Sequence, residues 1–88
     1  MIRSSAMLRE PFDPDTAIAS YRGALALATE LGMRPLAARC RVGLGAALTR
    51  SGARETAHAE LAAAVETLRE LRMTHWLSGA EALEAAAR

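Results

Sequence analysis

The chain repeats itself at an offset of forty residues. Ala17, Tyr21 and Ala24 recur as Ala57, Leu61 and Ala64, and Glu30-Leu31-Gly32-Met33 recurs as Glu70-Leu71-Arg72-Met73. A period of this size marks a stacked helical array. Each unit is one helical hairpin that cannot bury its apolar face alone and must lay it against a neighbour. Such arrays present surfaces for binding and seldom carry out chemistry. The repeat alone therefore predicts an all-α chain built as a scaffold or recognition unit.

Length limits how much array there can be. Eighty-eight residues make one small domain with a modest core. Hydrophobic residues reach 51%, but aromatic ones only 3%, because alanine supplies most of the apolar content. Helices rich in alanine approach closely, yet each contact is thin. The net charge of +1 gives no reason to expect nucleic acid or an anionic membrane. All eleven basic residues are arginine, and lysine, asparagine and glutamine are absent, a bias expected of a GC-rich genome. Arginine's fork suits carboxylates, so ion pairs along the helix surfaces are expected. Cys40 is the single cysteine, which excludes an internal disulfide and reads as a small buried hydrophobe. No apolar run approaches the ~20 residues that span a bilayer. The Arg- and Ser-containing Met1–Leu8 lacks the apolar core of a secretory signal, and Glu10 argues against an organellar presequence. A cytoplasmic protein is the expectation.

Punctuation divides the chain into four helices. Residues 1–12 have weak periodicity and read as a flexible or partly helical lead-in ending at Pro11. Asp13-Pro14-Asp15 starts a helix: a cap, a first-turn proline and an acid at the positive helix end. Ile18, Tyr21, Leu25, Ala28 and Leu31 follow at helical spacing, and Gly32 suits a left-handed stop. A second helix from Pro35 to Ser51-Gly52 carries Leu36, Cys40, Leu44, Ala47 and Leu48 on one face. A third, from Arg54 to Leu71, aligns Ala57, Leu61, Ala64, Val65, Leu68 and Leu71. Thr74 is placed to cap a fourth, with Trp76, Leu77, Ala80 and Leu83. Gly43 and Gly45 lie inside the second helix, where each costs about 1 kcal/mol relative to alanine. A helix tolerates that where a neighbouring backbone must come close.

The chemistry-bearing residues are few. Gly43-Leu44-Gly45 has no preceding strand and no following lysine, so it is no phosphate loop. His58 and His75 lie on different helices, with no second cysteine or His-x3-His pair to complete a metal set. Cys40 has no evident base and orienting group. Glu81 and Glu84 read as solvated. No catalytic, cofactor-binding or metal-binding residue is assigned, no cofactor is expected, and the chain is not expected to be an enzyme.

Leu44-Gly45, Leu48, Ala57, Leu61 and Ala64 together resemble the tetratricopeptide repeat, in which small residues beside leucines pack the two helices of a unit. Leu48 and Arg41 stand where that family often has tyrosine and tryptophan. The run from Leu25 to Leu36, with Cys40, Gly43-Leu44-Gly45 and the closing Met73-Thr74-His75-Trp76-Leu77, is similar to the C-terminal repeat tail of bacterial adenylate/guanylate cyclase-like proteins and ATPase-containing regulators. The resemblance covers residues 14–88 and includes none of their upstream catalytic motifs. It implies antiparallel hairpins stacked as a short right-handed superhelix over 13–88, in units of about 14–53 and 54–88. It also implies a concave groove lined by the first helix of each pair, which by spacing Arg39, Val42, Ala46 and Arg50 of the second helix are expected to face.

Two functions follow as expectations. The first is a non-catalytic protein-interaction module, a regulatory or scaffold segment that grips a protein or peptide. The second is a purely structural or oligomerising unit, packed on an upstream domain or on its own copy. Ile18, Tyr21, Leu25 and Trp76 are the candidate interface residues. Ile18, Tyr21 and Leu25 have only the weak residues 1–12 to cover them, so an isolated chain is expected to self-associate.

Overall fold

A computed structural model describes residues 13–87, and the lead-in proposed for residues 1–12 lies outside them. Four helices account for the described chain: α1 (Pro14–Glu30), α2 (Arg34–Ser51), α3 (Arg54–Glu70) and α4 (Thr74–Ala87). The fold is all-α.

The start of α1 follows the sequence signal. Asp13 caps it, accepting from Asp15 N at 3.2 Å and from the Thr16 hydroxyl at 2.6 Å, with Pro14 in the first turn. α2 and α3 start without a side-chain cap hydrogen bond. Thr74 is the first residue of α4 rather than its cap, and the Met73 carbonyl receives the Trp76 and Leu77 amides instead.

One connection is used three times. Met33 N reaches Ala28 O while Gly32 N reaches Thr29 O; Ala53 and Gly52 repeat this on Leu48 and Thr49, and Met73 and Arg72 on Leu68 and Arg69. Each is a Schellman closure with its pivot in the left-handed region. The pivots Gly32, Gly52 and Arg72 have φ of 69°, 94° and 58° and fall twenty residues apart. The residue after each pivot offers its carbonyl to the amide four positions on: Ala37 to Met33, Ala57 to Ala53, Leu77 to Met73. One helix therefore ends and the next begins with no slack between them. A period of twenty lies nested in the period of forty.

The helices fold back on one another. Arg34 at the start of α2 reaches Glu70 at the end of α3, and Arg41 further along reaches the earlier Glu60, so the two run antiparallel. α1 packs on α2, α2 on α3, and α3 on α4, while α2 also touches α4; α1 meets no other described helix than α2. The core has two centres. Leu44, Leu48, Ala57 and Leu61 form one, with Ile18, Leu25, Ala53 and Leu83 against it. Ala38, Val65, Leu68 and Ala80 form the other, with Val42, Met73 and Leu77. No polar side chain is buried among the described residues.

Gly45 holds the first centre together. A β-carbon there would collide with the Leu61 side chain, which is fully buried. Gly43 faces the other way, where a β-carbon would meet the Tyr21 ring of α1. The close approach at these glycines is thus by side chains of α3 and α1, not by a neighbouring backbone. Arginine–glutamate pairs lie along the helix surfaces as expected. Arg34–Glu70, Arg41–Glu60 (2.7 Å) and Arg69–Glu81 (3.0 Å) bridge neighbouring helices instead of successive turns of one helix. His58 Nε2 likewise lies 3.3 Å from Glu84 Oε2 of α4.

Candidate functional site

The contact between α2 and α4 leaves a furrow open to solvent. Leu36, Arg39, Val42 and Gly43 recur along α2 at helical spacing, and Trp76, Gly79, Ala80 and Leu83 recur along α4. Two clefts of about 300 and 310 Å³ result, with Val42 and Trp76 as their common wall. Tyr21 reaches the first from α1, over the space that Gly43 leaves empty. Leu83 and Gly79 line the second. Buried Cys40 forms part of the first floor.

Aromatic surface and one cation dominate the site. The Arg39 guanidinium carbon sits 4.5 Å from the centre of the Trp76 ring, in cation–π geometry. The His75 ring stands edge-on to Trp76, with centroids 6.3 Å apart. Trp76 remains 37% exposed and Tyr21 and Leu36 each 38%. No carboxylate lies within ion-pairing distance of Arg39 among the described residues, and none lines either cleft. The furrow is therefore apolar and electropositive at one lip, with helices for both walls.

The expected residues divide. Arg39 and Val42 from the candidate groove and Tyr21 and Trp76 from the candidate interface come together here. Ala46 and Arg50, further along α2, line neither cleft. Ile18 and Leu25 are half-buried against the Leu44–Leu61 centre, so α2 covers the side of α1 that they occupy. The expectation that Ile18 and Leu25 form an uncovered face is corrected on that ground. Leu36, placed by spacing on the face of Cys40 and Leu44, is exposed and lines the first cleft together with Trp76. Sequence reasoning missed Leu36, His75, Gly79 and Leu83 as site residues. The available signal was that 36, 39, 40 and 43 share one α2 face.

Among the described residues no group of three or more His, Cys, Asp or Glu side chains is placed to hold a metal ion. No described helix is long and apolar enough to cross a membrane. No protein-family model, curated protein or solved structure matches the chain.

Proposed function

We propose that this chain is a non-catalytic protein-interaction module of tetratricopeptide type, a regulatory or scaffold segment related to the tail of a bacterial signalling protein and working in the cytoplasm. The observation that carries the reading is the furrow between α2 and α4, where exposed Trp76, Tyr21 and Leu36 line one cleft with Arg39, which has no carboxylate partner among the described residues. Aromatic and arginine side chains in a concave site are the residue types that dominate binding energy at interfaces. The Gly45–Leu61 contact supports the repeat reading, since a small residue receives a leucine there.

The occupant that fits is an amphipathic segment of a partner protein. Its apolar side chains fill the two clefts, and a carboxylate completes Arg39. The test uses two helical peptides with leucines at i, i+3, i+4 and i+7, one with glutamates and one with lysines on the flanks. Trp76 is the chain's single tryptophan, so its fluorescence reports occupancy directly. The glutamate peptide is expected to bind and the lysine peptide to bind at least tenfold more weakly. Arg39→Glu should reverse that order. Equal response to both peptides, or none to either, refutes the reading.

A further inference from the structure

The two hairpins carry equivalent helices in unequal surroundings. α3 is covered on both flanks, by α2 and by α4, whereas α1 meets α2 alone among the described helices. The stripe Glu60, Ala64, Thr67, Leu71 of α3 is half-buried or better: Arg41 of α2 donates to Glu60, and Ala64 is fully buried. Forty residues earlier the same stripe of α1 reads Ser20, Ala24, Leu27, Leu31, and every member is exposed. Leu27 and Leu31 are 56% and 62% accessible, the highest values among the described large apolar side chains. Leucine also replaces the polar Thr67 at that place. This face is thus more apolar than its covered counterpart, and it carries no charge.

We infer that the Ser20–Ala24–Leu27–Leu31 stripe of α1 docks on the same stripe of a second copy of this chain, in an antiparallel two-fold pair. The spacing of the stripe is self-complementary. In one antiparallel register Leu27 falls opposite Ala24 of the partner and Leu31 opposite Ser20, so every large side chain meets a small one in both halves at once. A two-fold contact requires that matching of a patch to itself, and the uncharged stripe brings no like charges together. A single helix pair lies below the area of a standard interface, so the dimer is concentration-dependent. This association is independent of the furrow, which lies on the α2–α4 side.

Sedimentation of the full chain from micromolar to about 1 mM tests it, a range that reaches weak association. The average mass is expected to climb from 9.3 kDa toward twice that value. Leu27→Asp should remain monomeric with native helical circular dichroism. Leu27→Thr, which installs the residue α3 carries at the equivalent position, should weaken association at least tenfold even if the aspartate variant fails to fold. Arg39→Glu should dimerise like the native chain. A native chain that stays at monomer mass overturns the inference. So does a Leu27→Thr variant that associates as the native chain does, or a monomer whose Leu27 and Leu31 methyls show nuclear Overhauser contacts to residues 1–12, since the chain then covers its own face.

Discussion

Replacing Gly45 with alanine isolates a close contact between α2 and α3. Any alanine for glycine inside a helix gains about 0.8–1 kcal/mol in propensity. At Gly45 the added methyl would also enter the space of the Leu61 side chain, whose Cδ1 is 3.0 Å away and whose Cγ and Cδ2 are nearer. Leu61 is 0% exposed and enclosed by Leu44, Leu48 and Ala57, so it cannot swing aside. Overpacking of that kind costs about 1–3 kcal/mol. Gly23 in α1 is the control, because a β-carbon there meets nothing within 4 Å. The propensity gain is common to both sites and cancels between the variants. Gly45→Ala should therefore melt below Gly23→Ala by the overpacking cost, at about 4–8 °C per kcal/mol for a domain of this size. Combining Gly45→Ala with Leu61→Ala should cost less than the sum of the two single changes, by about 0.5–3 kcal/mol, because the truncated leucine vacates the space the methyl needs. Thermal unfolding followed at 222 nm measures the native chain and all four variants. Equal gains at Gly23 and Gly45, or strict additivity with Leu61→Ala, would show that the contact does not restrain the fold.

Four shorter predictions accompany it. Gly43→Ala should be close to neutral in stability, because the Tyr21 ring it meets is exposed and can turn away; a loss as large as at Gly45, read from the same melts, would contradict this. Arg72→Gly should stabilise by about 0.5–1 kcal/mol, since it removes a left-handed non-glycine pivot at φ 58° and gives back part of the gain in unfolded-chain freedom; urea midpoints decide it. The hydroxyl hydrogen bond from Thr16 holds the Asp13 carboxyl below the ordinary aspartate range. Its capping contribution is thus complete above the unfolded-state value near ~3.9 and is lost as pH falls through the lower folded value, so the melting gap between the native chain and Asp13→Asn should close only in that acid window. Leu25→Glu should unfold the chain rather than dissociate a dimer, because Leu25 packs against the α2–α3 core; a folded monomeric variant by circular dichroism and sedimentation would refute that.

Local chemistry determined where the helices begin and end. Asp13-Pro14, Gly32 and Gly52 each act within a few residues of themselves, through a side-chain cap or a left-handed φ, so their meaning is legible in one dimension. The strong leucine and alanine stripes of α2 and α3 named most of the core for the same reason. The third pivot was legible only through the repeat, which sets Arg72 in the place of Gly32; its residue type gives no such preference, and it adopts the conformation because Met73 and Arg72 close the turn on Leu68 and Arg69. Periodicity gave the width of each apolar arc but not which neighbour would cover which part of it. Alanine blurs that further, since it is at home on a buried face or an exposed one. Only packing decided that α2 takes Ile18 and Leu25, that Arg41 crosses to Glu60, and that Trp76 comes to rest under Arg39. Each of those outcomes joins residues from different helices, and their meeting is set by how the hairpins stack, which no single stretch of the sequence contains.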